Sequence, residues 1–272
     1  MTDTGETGTG ETGTGETRTE GLDDLRARLV AAALPHVPFD GWSSATLAAA
    51  AADEDVDLAT ARSVFPRGGV DMALAFHYAG DRDLAEALAS GGLAHLRYSE
   101  RVAHAVRRRL EMADPHKEAV RRSTSLFALP IYTGEGARAI WHTADTIWKG
   151  LGDSATDYNW YTKRMTLSGV ISATLLFWLG DTSAGNARSW DFLDRRIADV
   201  MRIESMRATI ERNPVGRAMM AGPKALLSVI RAPGAPRTPP GSRWPRWPFG
   251  FGQASPAGGP GPGDMPDKID PQ

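Results

Sequence analysis

Residues 157–164, DYNWYTKR, place three aromatic side chains and a basic pair directly ahead of an apolar run, residues 165–180, that contains no charged side chain. From Thr166 to Gly180 the run is about 15 residues long, shorter than the ~20 that a bilayer-spanning helix needs. A helix that is apolar on all sides requires protein neighbours on all sides. The stretch therefore predicts a helix buried inside a helical domain, where its neighbours form either a solid core or the wall of a cavity.

A second motif, WDFLDRRI at residues 190–197, begins the next predicted helix. Apolar side chains recur there at three- and four-residue steps, while charged side chains occupy the opposite side. This spacing predicts an amphipathic helix that adds a second apolar wall. Ordinary core packing and a dimer seam both fit the pattern, whose apolar positions are Trp190, Leu193, Ile197, Val200 and Met201.

Upstream of both motifs, the pattern is also helical. Leu22, Leu25, Leu29 and Ala33 mark a first helix, which Pro35 and Pro38 end. Ser43 or Ser44 can cap a second helix and Asp57 a third, and after Gly68-Gly69 a fourth carries Met72, Phe76 and Ala79 on one side. Three short helices, a glycine-containing loop and a longer helix are the outline of a TetR-type helix-turn-helix subdomain followed by a helical core. The predicted fold class is all-α.

The two ends of the 272-residue chain have compositions typical of disorder. Residues 1–20 contain an acidic five-residue repeat, from Thr4 to Arg18, that has no apolar side chain. Residues 232–272 hold more than half of the chain's 18 prolines. Between them we predict a helix-turn-helix-like subdomain at 21–80, a helical core at 81–212 and a separate helix at 213–231. The leader lacks the features of a secretory signal or a mitochondrial presequence, so we expect a cytoplasmic location.

Charge argues against nucleic-acid binding by the predicted helix-turn-helix. Residues 40–67 carry five acidic and two basic side chains, a net charge of −3. Each phosphate contact needs a donor, preferably a cation. We therefore interpret the motif as vestigial and predict no nucleic-acid partner.

A search for catalytic or metal-binding patterns supports no enzyme. The chain has no cysteine, which excludes disulfides and thiolate chemistry, and its six histidines are scattered. His142 and Asp145 lie three residues apart, a spacing that fits a hydrogen-bonded core histidine better than a catalytic dyad. A di-iron bundle uses Glu-x-x-His on two helices together with two further glutamates, a constellation that this sequence lacks. We predict no catalytic residue, metal or cofactor.

In their order, the two motifs resemble one family. DxNWYTKR, a hydrophobic helix and then WDFLDRRI are similar to the alphaproteobacterial form of COQ9, the accessory protein of ubiquinone biosynthesis. The resemblance extends upstream through LPHVPFDGW at residues 34–42 and FPRGG at 65–69, and covers roughly residues 22–207. It implies a TetR-like fold, binding of an isoprenoid lipid in the core, self-association as a homodimer, and no enzymatic activity.

The resemblance also implies two sets of site residues. For the isoprenoid quinone precursor or phospholipid we expect a pocket beside Leu175, Trp178 and Met201. The NWY element belongs in the family to the face that docks the di-iron hydroxylase of the pathway. The matching positions here are Trp160 and Tyr161, and by alignment Ile147 falls on the same face. Adjacent residues of a helix lie about 100° apart, so Trp160 and Tyr161 cannot both point into the core.

The helix after Pro214 combines a basic stripe with an apolar face. Arg217, Lys224 and Arg231 are spaced by seven, and a kink is expected at Gly222-Pro223. Such a helix is typical of the membrane interface, although a docked core helix also fits. The residues predicted to touch the membrane are Arg217, Met219, Met220, Lys224, Leu226, Leu227 and Ile230.

Together these patterns predict a lipid-binding accessory protein. It would sit on the inner face of the cytoplasmic membrane and present a quinone intermediate to a hydroxylase. The alternative is a TetR-family transcription regulator with a lipophilic effector, since the same fold serves both functions.

Overall fold

The structure, a computed structural model, describes residues 13–153 and 158–212, with side chains for 21–153 and 160–202. These residues form helices and no strand, as predicted. Two short 3-10 helices, Asp114–His116 and Ala184–Asn186, lie between longer elements. In chain order the α-helices are α1 (Gly13–Ala33), α2 (Val37–Asp40), α3 (Ser44–Asp53), α4 (Leu58–Val64), α5 (Gly69–Ala89), α6 (Tyr98–Ala113), α7 (Lys117–Phe127), α8 (Thr133–Gly150), α9 (Tyr158–Gly180) and α10 (Ala187–Arg212).

The N-terminal subdomain packs α1 to α4 against the start of α5. The predicted caps are confirmed: the Ser43 side chain accepts a hydrogen bond from the backbone N–H of Thr46, and Asp57 accepts from Ala59 and Thr60. Leu29 and Ala33 of the predicted first helix are fully buried here. The core of this subdomain consists of Leu29, Val30, Ala33, Val37, Trp42, Leu47, Ala50, Ala51, Ala61, Val64, Phe65, Met72, Ala73 and Ala119.

The first helix begins earlier than predicted. α1 starts at Gly13, so the predicted leader at 1–20 overlaps it by residues 13–20, and residues 1–12 lie outside the described part of the chain. Each residue added to an existing helix forms one more backbone hydrogen bond and requires no new nucleation step. A helix can therefore extend into sequence that has no apolar face.

Gly68-Gly69 sets the start of α5 by close packing. Gly68 adopts a φ of 58°, in the left-handed region that favours glycine. A Cβ at Gly69 would lie 2.1 Å from the carbonyl oxygen of Trp42. The predicted chain break is therefore also the point where α5 meets the loop that enters α3.

The second core joins the end of α5 to α6, α8, α9 and α10. α10 presents the predicted apolar face: Trp190, Leu193 and Ile197 are buried, while Val200 and Met201 pack partly against them. Among the described residues, no helix has the length and apolar character needed to cross a bilayer. The predicted membrane helix at 213–231 and the tail at 232–272 lie outside the described residues.

The prediction that the uncharged helix is buried on all sides is wrong. One strip of α9 faces solvent: Met165 is 62% exposed, Gly169 is exposed, Ser172 is partly exposed and Leu176 is 61% exposed. These positions follow steps of four and three, so they share one side of the helix. We call them the α9 strip. α8 and α10 pack against α9, whereas the side chains of Met165 and Leu176 on this side remain more than half exposed.

Candidate functional site

An apolar cleft opens where α6, α8, α9 and α10 meet. Its free volume is about 40 Å³, which admits a few water molecules. The walls come from aliphatic side chains of α6, α9 and α10 and from one indole of α8. The lining residues are Tyr98, Ser99, Val102, Trp148, Lys163, Thr166, Leu167, Val170, Ile197, Val200 and Met201.

Of the three residues predicted for the lipid pocket, the structure places only Met201 in the cleft. Trp178 lies on nearly the same side of α9 as the lining residue Leu167, but eleven residues further on, about 16 Å along the helix axis. It is fully buried there, with Lys117 Nζ 4.7 Å from its ring centroid. Leu175 packs partly against the same solid core. Leu175 and Trp178 therefore lie on α9 outside the cleft lining.

One end of the cleft is polar. Lys163 Nζ donates to Asp153 Oδ1 at 2.6 Å and lies 5.5 Å from the Trp148 ring centroid. Tyr98 stacks on Trp148 at 5.8 Å between ring centroids. Trp148 Nε1 is buried and has no hydrogen-bond partner among the described residues. The Lys163 ammonium, a hydrogen-bond donor, therefore lines this end of the cleft together with the ring of Trp148.

Beside the cleft, three rings form an aromatic patch, which we define as Trp141, Trp160 and Tyr161. Ring centroids are 5.9 Å apart for Trp141 and Trp160, and 4.8 Å apart for Trp160 and Tyr161. All three side chains are partly exposed, as expected for Trp160 and Tyr161. Partly exposed aromatic clusters are typical of docking sites.

Arg164 packs against the buried face of the Trp160 ring in the patch. Its side chain is 1% exposed, and its Cζ lies 4.0 Å from the Trp160 ring centroid. Nε donates to Asp145 at 2.6 Å and Nη1 donates to Asp153 at 3.3 Å. Partial burial works to raise the pKa of Asp145, but the bonds from Lys149 and Arg164 outweigh it and hold that pKa below its ordinary value.

The assignment of Ile147 to the docking face is wrong. Ile147 is fully buried in the second core, so its side chain cannot touch a partner protein. Trp141, six residues earlier on α8, supplies the third ring of the patch instead. Six residues turn a helix by about 600°, which points the two side chains in different directions.

His142 pairs with Asp81 rather than with Asp145. Its side chain is half exposed and not in the core as predicted, and its Nδ1 lies 2.7 Å from Asp81 Oδ2. Asp81 is buried at the junction of α5, α6 and α8, where Arg109 Nε and Thr143 Oγ1 each donate to Oδ1 at 2.9 Å. Burial works to raise the pKa of Asp81, but His77, Arg109 and His142 outweigh it and hold that pKa well below its ordinary value.

Sequence reasoning missed most of the polar residues around the cleft. Lys163 and Arg164 stood in the quoted motif only as a basic pair, and Asp153 lies in a connection without periodicity. An acidic residue between two helices is ordinary loop composition, so no signal marked it as their shared partner. Across the residues the structure describes, no group of three or more His, Asp or Glu side chains could hold a metal ion.

The patch and the parts of the cleft that come from α8, α9 and α10 fall within the region that the family model matches, whereas its α6 wall lies outside it. The COQ9 family model matches residues 133–204, which span α8, α9 and the described side chains of α10. The mitochondrial ubiquinone biosynthesis protein COQ9 of Drosophila melanogaster is 31% identical over 196 residues, covering 70% of this chain and 59% of its own length. That of Xenopus tropicalis is 32% identical over 189 residues, covering 67% and 59%. The chain belongs to the COQ9 family.

The chain thus spans about 59% of the length of these COQ9 relatives. The human protein gives the same picture, with 30% identity over 189 residues, 67% of this chain and 59% of its own length. A solved structure, a TetR transcriptional regulator from Nitrosomonas europaea, is similar with a TM-score of 0.53 at 18% identity. The match covers 64% of this chain and 97% of that one, and it shows that this COQ9 chain has the TetR-like fold.

Proposed function

We propose that this chain is a non-enzymatic, lipid-binding accessory protein of ubiquinone biosynthesis. It presents an isoprenoid quinone precursor to a di-iron hydroxylase at a membrane. The observation that carries the proposal is an apolar cleft with a polar end, next to a partly exposed aromatic patch, in a chain of the COQ9 family. The relatives it matches are named ubiquinone biosynthesis proteins.

The physical rationale is the insolubility of the substrate. Each buried CH₂ of an isoprenoid tail gains roughly 0.8 kcal/mol on leaving water, so such a tail stays in the bilayer unless an apolar site receives it. The cleft as it stands admits only part of a tail. Val200 and Met201, which line it from α10, are only partly buried, so ligand entry would widen the cleft on the α10 side.

The aromatic patch is the proposed docking face for the hydroxylase. Loss of a hot-spot aromatic typically costs at least ~2 kcal/mol, or about thirtyfold in affinity. Tyr161→Ala should therefore weaken binding of the recombinant hydroxylase by this factor without changing the melting temperature. Tyr132→Ala, a partly exposed tyrosine at the start of α8, is the matched control and should bind normally.

Two further parts of the proposal concern assembly. A second copy of the chain packs on the α9 strip, because this uncharged surface has no covering element in the described structure. The helix predicted at 213–231 gives peripheral contact with the inner face of the cytoplasmic membrane. Sedimentation with anionic liposomes tests the membrane contact: equal binding by the full chain and by a truncation after Arg212 would remove this role.

Lipid extraction tests the central claim. The folded chain, purified without detergent, should carry isoprenoid quinones or their precursors in organic extracts measured by mass spectrometry. A helical protein of similar size from the same host is the control. An extract with no isoprenoid or phospholipid above that control would exclude the carrier function.

The alternative function is DNA binding with a lipophilic effector, favoured by the likeness to a TetR regulator. The exposed side of α4 argues against it, because Arg62 is the one cation beside Ala59, Thr60 and Ser63 there. Asp53 and Glu54 are exposed or partly exposed nearby and pair with His36 and Arg28. Submicromolar, salt-sensitive binding to a specific duplex from the chain's own genome would favour the regulator.

A further inference from the structure

The cleft and the aromatic patch share one carboxylate. Asp153 Oδ1 accepts from Lys163 Nζ at 2.6 Å, and Oδ2 accepts from Arg164 Nη1 at 3.3 Å. Lys163 lines the cleft, whereas Arg164 stacks under Trp160 of the patch. Adjacent residues of α9 point about 100° apart, so this helix directs one cation to each site and Asp153 bridges them.

This network is buried. The exposed fractions are 12% for the Lys163 side chain, 4% for Asp153 and 1% for Arg164. A buried ion pair adds little net stability, because desolvation of the charges offsets their attraction. Removing one partner, however, leaves the others uncompensated in a medium of low dielectric constant. A change at Lys163 must therefore redistribute the bonds of Asp153.

The donors at the polar end of the cleft suit a ligand that carries acceptor oxygens. A buried N–H without an acceptor is destabilising, and Trp148 Nε1 has no hydrogen-bond partner among the described residues. Lys163 Nζ, close to the same ring, can donate to more than one oxygen. A quinone carbonyl or a phosphate oxygen in the cleft would accept a hydrogen bond from Lys163 Nζ.

We infer that Asp153 couples occupancy of the cleft to the aromatic patch: an acceptor oxygen bound by Lys163 shifts Asp153 towards Arg164 and so changes the packing of Trp160. This inference rests on the proposed lipid-binding function. Coupling of this kind is reciprocal, so docking on the patch changes affinity in the cleft by the same factor, typically ~5–150-fold. Through this ion network, the affinity of the patch for a partner protein depends on whether the cleft already holds a ligand.

The first test needs no ligand. The full-length chain is labelled with 5-fluorotryptophan, and the fluorine signals of its eight tryptophans are assigned by single Trp→Phe variants. Lys163→Met should shift the Trp160 signal, because Asp153 then pairs with Arg164 alone. Thr166→Val changes another lining residue of the same helix without altering charge and should leave Trp160 unshifted. An unshifted Trp160 in folded Lys163→Met overturns the coupling.

The second test adds a ligand. The probes are a ubiquinone with two isoprene units and, separately, a lysophospholipid, and Trp148 reports the cleft while Trp160 reports the patch. In the wild type the quinone should shift both signals, and in folded Asp153→Asn it should shift Trp148 alone.

Three other outcomes have distinct meanings for the coupling and for the proposed function. A Trp148 shift without a Trp160 shift in the wild type overturns the coupling and keeps the quinone site. A response of both signals to the lysophospholipid alone keeps the coupling and replaces the quinone by a phosphate head group. No response to either probe overturns both.

Discussion

The carboxylate of Asp81 joins three helices whose sequence patterns show no relation to one another. It accepts from Arg109 of α6 and Thr143 of α8, and it lies against His77 of its own helix and His142 of α8. Its side chain is fully buried. At the scale of single residues, this buried charge links α5, α6 and α8 through hydrogen bonds and ion pairs.

Asp81→Ala should therefore destabilise the chain by about 3–5 kcal/mol at pH 7, because it leaves Arg109 buried without its partner. The folded-state pKa of Asp81 lies below its unfolded value of about 3.9, so the contribution is complete above that pH. The difference between variant and wild type should shrink as pH falls below about 4. Denaturant unfolding at a series of pH values measures it.

Asp83→Ala is the matched control, two residues along α5 and exposed. It should change the free energy of unfolding by less than about 0.5 kcal/mol. If Asp81→Ala were no more destabilising than this control, the Asp81 network would have no role in stability.

At the scale of elements, α8 turns one side to the core and another to the patch. Ile147→Ala should lower the free energy of unfolding by about 2–5 kcal/mol, since it opens a cavity in the second core. Arg138→Ala, at an exposed position of the same helix, should change it little. If Ile147→Ala and the wild type were equally stable in urea unfolding, Ile147 would not be a core residue and could belong to the docking face.

α9 differs from α8 because its outer side is apolar and open. If two copies meet on the α9 strip as proposed, Leu176→Lys should shift the chain from dimer to monomer in light scattering, because the second copy would have to bury the new charge. The melting temperature of the monomer should remain close to that of the wild type. Thr182→Lys, exposed just beyond the end of α9, should leave the dimer intact. A Leu176→Lys chain that is still dimeric would show that the copies meet elsewhere.

At the scale of the whole molecule, ligand binding should add to folding stability. A quinone at 100 times its Kd stabilises by ~2.7 kcal/mol, which for a domain of this size raises Tm by roughly 5–10 °C. Met201→Gln, in the cleft wall, should reduce this shift by more than half, whereas Leu175→Gln, outside the lining, should preserve it. Equal shifts in the two variants would mean that the ligand binds elsewhere in the molecule.

Local sequence patterns are sufficient to predict the helical class, the caps at Ser43 and Asp57 and the apolar face of α10, and the motifs indicate the family. Each of these depends on neighbouring residues, because helical periodicity and capping are local physics.

Which helix faces meet is not contained in these local patterns and follows from the packing of the helices. The open side of α9, the burial of Ile147 and the bonds of Asp81 to residues 28 and 61 positions away depend on which helices lie side by side. A residue pattern shows which side of a helix is apolar, but whether another helix covers that side is decided by the packing of the whole chain.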